Sequence, residues 1–242
     1  MTKGFRASTE SSDDEKMSVD AIQKEIVRRI CFLDYAPGCQ LKEAELAREF
    51  GVSRTPVRDA ISRIKHLGLV DTRNGVGTVV VRLTKDQIRD VYDMRLNLAQ
   101  LIGSMSPRPV TAHDIQQIND LLNSAVELEQ VFDARLYVAL NDRLQNLIAG
   151  LIGNEMLRAF WLHAYVQAAS TWYRVAALAG QEVAGAFVQE LQGVREALLQ
   201  GDMVALGLVQ RIHIGYGYQR IIQHASADVG AGSAVSPHGS AS

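Results

Sequence analysis

Gly51-Val52-Ser53-Arg54-Thr55-Pro56-Val57-Arg58-Asp59-Ala60 is the stretch on which the reading of this chain turns. Gly51 predicts the end of one short helix and Ser53 the start of the next. The Ser53 hydroxyl is expected to cap that start by accepting from a free backbone N–H of the first turn. Pro56 falls in the same turn, where its missing N–H costs no helical bond. Beyond it Val57, Ala60, Ile61, Ile64 and Leu67 recur at helical spacing and bury one face. Arg54, Thr55 and Arg58 are left outside, at the helix end whose amides and dipole favour anions. Two guanidiniums and a hydroxyl at a helix tip, after a tight turn, suit a DNA major groove. A solvated helix start on any small domain would present the same ten residues, so the flanks must decide.

Upstream, Ser18 can cap a helix with Val19, Ile22, Ile26, Ile30 and Leu33 along one face. Pro37-Gly38 breaks the chain, and Leu41 begins a brief extended piece. A short helix follows from about Lys42 to Phe50. Downstream, the helix of the opening stretch runs to about Leu67, with Gly68 placed to end it. Leu69-Val70-Asp71-Thr72 and Thr78-Val79-Val80-Val81-Arg82 then flank Arg73-Asn74-Gly75-Val76-Gly77. Asn-Gly between two strand-like runs signals a hairpin. Helix, helix, turn, helix and hairpin, in that order, make a winged helix-turn-helix.

The charge is distributed accordingly. The 242 residues carry a formal net charge of −2, which by itself argues against a DNA partner. Residues 18–83 sum to +3, however, and residues 84–226 to −3. A basic front and an acidic back fit one DNA-facing domain and one that is not. The two cysteines, Cys31 and Cys39, form neither a disulfide framework nor a metal cluster and are expected to be packing residues. No apolar run is long enough to span a bilayer and no secretory signal is present, so a cytoplasmic protein with no membrane partner is expected.

Residues 19–83 resemble the DNA-binding domain of GntR-family bacterial transcription regulators. The matching parts are Pro37-Gly38-x-x-Leu41-x-Glu43-x-Glu45-Leu46-Ala47, the opening stretch, Leu67-Gly68-Leu69-Val70 and the wing glycine Gly77. The resemblance implies a recognition helix in the major groove and a wing near the minor groove. Ser53, Arg54, Thr55 and Arg58 would then touch DNA, with Arg54 reading bases and Arg58 and Ser53 on phosphate. Arg73 and Gly77 would belong to the wing contact. Pro56 stands where some members carry a second hydroxyl, so that contact is absent.

The second half reads as helices only. Thr84-Lys85-Asp86-Gln87 is a capping box, so a helix starts directly after the wing. Expected spans are Lys85–Met105, Ala112–Gln130, Ala134–Leu151, Glu155–Leu178, Glu182–Leu199 and Met203–His224. Thr111 and Asp202 are caps. The fold class is therefore mainly α, with a small hairpin wing in front and an antiparallel bundle of about six helices behind. Domain limits are set at 18–83 and 84–226. The polar residues 1–17 and the Gly-, Ala- and Ser-rich residues 227–242 are expected to be disordered tails. The bundle resembles the FCD-type ligand-binding domain of the FadR subgroup, on Arg95, Gly153-Asn154, Gly201-Asp202 and His213.

Arg95 is the most informative residue of that half. It falls in the apolar stripe of Ile88, Val91, Leu98 and Ile102, where a permanent charge is costly without an anion. A carboxylate ligand would supply one. An internal Asp or Glu, or a snorkelled head at the bundle end, would also do so. Many FCD domains hold a divalent metal on an acid or amide and three histidines. The corresponding positions here are Asn141, Gln145, Leu191 and His213. One imidazole and two amides make a poor site, so no metal and no cofactor are expected. Asn141, Gln145 and His213 become polar groups around an effector, though His213 could equally be a helix histidine with a local partner. Arg174 is a second candidate anion contact. Tyr165, Trp172 and Tyr173 are read as core or dimer surface.

No nucleophile elbow, paired-carboxylate motif or phosphate loop appears, so catalytic residues are not expected. The function expected is a homodimeric regulator, a repressor, that binds a near-palindromic operator in double-stranded DNA under control of a small carboxylate. The alternative is a constitutive DNA binder whose bundle only dimerises.

Overall fold

A computed structural model describes the backbone of residues 17–232 and the side chains of residues 17–224. The rest of the expected tails lies outside the described residues. Three helices and a small sheet form the head. Helix α1 (Val19–Cys31) is capped by the Ser18 hydroxyl, which accepts from the Ala21 N–H at 3.2 Å. Helix α2 (Glu43–Glu49) and helix α3 (Arg54–His66) follow. Strands β1 (Gln40–Leu41), β2 (Val70–Arg73) and β3 (Gly77–Val80) make an antiparallel sheet in the order β1-β3-β2. Ile22, Ile26, Ile30, Val57, Ala60, Ile61 and Ile64 meet Val70 and Val80 in one core. These are the helical stripes of α1 and α3, closed from below by the sheet.

Three local expectations change. Leu33 lies beyond α1 in a left-handed conformation, φ 63°, so the first helix stops two residues earlier. The Ser53 hydroxyl makes no capping hydrogen bond, although the residue has the extended N-cap geometry, φ −72° and ψ 170°. The backbone turn alone starts α3 and leaves that hydroxyl exposed. Met17 packs against the head core and so is not part of a tail.

The body contains α4 (Lys85–Leu101), α5 (Ala112–Gln130), α6 (Ala134–Leu151), α7 (Glu155–Ala179), α8 (Gln181–Gln200) and α9 (Met203–Gly232). Among the described residues it holds no strand, only a single bridge from Pro107 to Ile152. Helix α4 packs on α7 and α9, and α5 packs on α6 and α8. At the crossing of α4 on α9, a Cβ on Gly207 would lie 2.5 Å from the Ala99 carbonyl oxygen. Only glycine lets those two backbones touch. Helix α4 ends at Leu101, four residues earlier than expected, and Ser106 turns left-handed (φ 51°) before the Pro107 bridge. Helix α9 runs to Gly232, past the expected end near His224. Residues 227–232 are therefore helix rather than tail, because no proline interrupts the ladder before Pro237.

Caps at the helix starts are where sequence chemistry is most legible. Thr84 and Gln87 form the reciprocal capping box. Thr111 and Asp114 form a second one, and Arg108 adds a two-pronged ion pair to Asp114 at 2.7 and 3.1 Å. Asp114 is buried. Burial pushes its carboxyl up, but hydrogen bonds from Arg108 and from the Thr111 hydroxyl and N–H outweigh it and hold the group down at about 2. A depressed carboxyl contributes stability that is present above pH 3.8 and is lost as pH falls toward 2. Asp114→Ala is expected to cost about 2–3 kcal/mol at pH 7. Urea denaturation should show that difference shrinking below pH 4.

Candidate DNA interface and effector cavity

The tip of α3 presents Arg54 and Thr55 to solvent, with no acidic side chain in the first turn. Arg58 follows one turn on, exposed, and pairs with Glu43 of α2 at 3.2 Å. The wing follows α3, whose Lys65 donates to Thr72 of β2 at 3.3 Å. Its ladder pairs Arg73 with Gly77 and Thr72 with Thr78. Gly77 has φ +96°, a conformation that requires glycine, and Gln40 of β1 donates to the Val76 carbonyl at the hairpin end. Arg73 is exposed on the last residue of β2. Ser53, Arg54, Thr55, Arg58, Arg73 and Gly77 therefore all lie exposed on the head, at the α3 tip or on the wing.

The body holds a partly open cavity of about 40 Å³ between α4, α6, α7, α8 and α9. Arg95, Asn141, Gln145 and His213 line it together, from three different helices. Arg95 is 8% exposed, and its guanidinium lies over the rings of Tyr92 at 5.4 Å and Tyr165 at 6.0 Å. Among the described residues no carboxylate reaches it within 4.0 Å. Neither internal pairing nor a snorkelled head accounts for it. Arg174 is exposed on α7 and does not line the cavity. It sits two residues past Trp172, which turns it about 200° away from the inward face.

The aromatic assignments need correction. Tyr165 and Trp172 line the cavity rather than serving only as core or outer surface. Tyr173 is core, with its hydroxyl hydrogen-bonded to that of Tyr165 and donating to Asn141 Oδ1 at 3.4 Å. Glu190 was missed altogether. It is buried, lines the cavity and accepts from Gln210 Nε2 at 2.9 Å. The signal that reveals Arg95 also reveals Glu190, because Val183, Phe187, Glu190 and Val194 share one helical face.

Burial pushes the Glu190 carboxyl up to about 7, against the opposing pull of Gln210 and Arg95. Burial lowers the His213 imidazole, and Arg220 adds to the effect. For Glu190 the sign is that of a raised carboxyl. Stability is greatest below pH 4.5 and falls as pH rises through about 7. Glu190→Gln removes this dependence. The variant is expected to gain on the order of 3 kcal/mol over the parent between pH 4.5 and pH 8, read from urea midpoints.

The donor set does not fit a divalent metal. Asn141, Gln145, Glu190 and His213 offer one imidazole and one carboxylate beside two amides, and Leu191 is a buried aliphatic. Among the described residues no three His, Cys, Asp or Glu side chains gather as ligands. Nor is any helix there long and apolar enough to cross a membrane.

The profile described as bacterial regulatory proteins of the gntR family matches residues 18–80, and that of the FCD domain matches residues 90–215. The chain belongs to the GntR family. Its head is the DNA-binding domain of a transcription regulator, and its body is an FCD domain. Among relatives, an uncharacterized HTH-type regulator in the TAR-I ttuE-ttuC' intergenic region of Agrobacterium vitis is 28% identical over 117 residues. That match covers 47% of this chain and 68% of the relative. The HTH-type transcriptional repressor RspR of Escherichia coli is 28% identical over 116 residues, covering 47% of this chain and 50% of RspR. The matched stretch thus spans half to two thirds of these relatives' length. The solved structure of E. coli McbR/YncC shares the fold, with a TM-score of 0.76 at 15% identity, over 86% of this chain and 98% of that one.

Proposed function

We propose that this GntR regulator is a ligand-responsive repressor that binds a near-palindromic operator as a homodimer. The observation that carries the effector part is the buried, anion-seeking Arg95 in a polar cavity. A guanidinium confined there, with no carboxylate in direct contact, stabilises an acid that arrives from solvent. A cavity of about 40 Å³ suits a small acid.

Helix α7 supports the coupling between cavity and head. One side of α7 lines the cavity through Tyr165 and Trp172. The next residues meet the head, where Cys31 Sγ contacts the Val166 carbonyl at 4.0 Å and Gln167 donates to the Leu67 carbonyl at 3.2 Å. Phe32 also packs edge-on against Tyr173. A ligand that favours one placement of α7 changes the freedom of the head, provided it binds one state better than the other.

Dimerisation is supported by α9, which exposes Val204, Leu208, Ile212 and Tyr216 at four-residue spacing, and by exposed Met94 and Leu101 on neighbouring α4. A two-fold protein presents two α3 tips to two half-sites. On DNA, Arg54 would read base edges, with Arg58 and the uncommitted Ser53 hydroxyl on phosphate and Arg73 beside the minor groove.

The test is a gel-shift and footprinting series on the DNA upstream of the gene, with and without small carboxylates. Protection of a palindrome by a dimer, released by one of the acids, is the expected result. Light scattering should give twice the 26.6 kDa chain mass. Protection that no acid alters would favour the constitutive dimer.

A further inference from the structure

The effector cavity contains more than a carboxylate needs. Arg95 projects from α4 and Glu190 from α8. Both are more than nine-tenths buried and both line the same space, yet no ion pair joins them within 4.0 Å. Opposite charges taken out of water and left unpaired are costly, and direct contact would relieve that cost. Here they face one space without touching. Two amide oxygens are also buried without a hydrogen-bond partner: that of Gln145, which lines the same space, and that of Gln210, whose amide nitrogen donates to Glu190. A second space of about 30 Å³ adjoins the first and shares Glu190 and His213 with it.

We propose that the effector is a small zwitterionic amino acid, with its carboxylate on Arg95 and its ammonium group on Glu190 and Gln145 Oε1. The inference rests on the effector reading above and names the ligand class of that site. An ammonium carries three donors and a positive charge, matching a carboxylate with an orphaned amide oxygen. A hydroxyl offers one donor and no charge. A plain carboxylate leaves the buried Glu190 without a cation and Gln145 Oε1 without a donor. Size sets the upper limit, since about 10–15 Å³ of such space is needed per water. The two spaces together admit a handful of non-hydrogen atoms, in the range from glycine to serine.

The experiment is calorimetric titration of the full chain with glycine, L-alanine, L-serine and β-alanine. Acetate, propionate, L-lactate and L-alaninamide serve as the matched probes lacking one group. At least one amino acid is expected to bind ten times more tightly than its des-amino and 2-hydroxy counterparts, with L-alaninamide failing to bind. Glu190→Gln should erase that preference while keeping the affinity for the carboxylate counterpart. Gln145→Met, which keeps the volume and removes the acceptor, should weaken the amino acid severalfold and the carboxylate little. Circular dichroism checks that both variants fold. Carboxylates binding as tightly as amino acids, or an undiminished preference in both variants, would overturn this proposal and leave the carboxylate effector standing. Silence from every probe would overturn both.

Discussion

Arg54→Ala is expected to abolish sequence-specific protection of the operator while leaving weak attraction to any duplex. Arg54 is the first residue of α3, exposed and without an ion-pair partner among the described residues. A bidentate arginine on a base edge supplies about 1–3 kcal/mol of discrimination. A two-fold complex uses it twice, so the variant dimer should lose roughly 2–6 kcal/mol. The remaining binding should fall steeply with salt, because Lys and Arg on phosphate release counterions. Arg58→Ala is expected to do less, since its guanidinium is already shared with Glu43. It should weaken binding about equally on operator and unrelated DNA. Footprinting at one fixed salt concentration checks both variants. An unchanged footprint for Arg54→Ala would remove it from the interface.

Arg95→Ala is expected to make the protein deaf to its effector, with operator occupancy the same in the presence and absence of ligand. The guanidinium lies against two tyrosine rings in the cavity, with no carboxylate in direct contact for a ligand carboxylate to displace. Hydrogen bonds between ionised partners contribute about 1.5–3 kcal/mol each, and a two-pronged contact makes two. Ligand affinity should therefore fall by at least a hundredfold. Calorimetry on the variant reads the binding loss, and a gel shift with added ligand reads the lost response. A retained response would mean that Arg95 serves only to hold Tyr92 and Tyr165 in place.

Both expectations begin at residues that the sequence singles out, but for different reasons. The α3 tip is a local feature. Gly51, Ser53, Pro56 and the following stripe act within a few residues of one another, so their order alone predicts turn, cap and exposed arginines. The second capping box, Thr111 with Asp114, is equally local, and so is the Asn74-Gly75 hairpin. Ser53 marks the limit of this kind of reading. Its backbone takes the cap geometry, yet the hydroxyl makes no cap bond, because rotamer choice is not written in the residue type. The far end of α9 was misjudged for a related reason. Small residues weaken a helix without stopping it, and α9 continues through the Ala and Gly of residues 225–232.

The amino-acid order thus determined the winged head, the all-helical body and the candidate reading surface, since caps, turns and apolar periods act over one or two helical turns. Only the tertiary structure decided which polar groups share a cavity. It brought Glu190 into the space with Arg95, Asn141, Gln145 and His213, admitted Tyr165 and Trp172, and left Arg174 outside. A helical stripe says that a side chain points inward, but the partner it meets there is fixed by how α4, α6, α7, α8 and α9 cross, and that crossing is a property of packing.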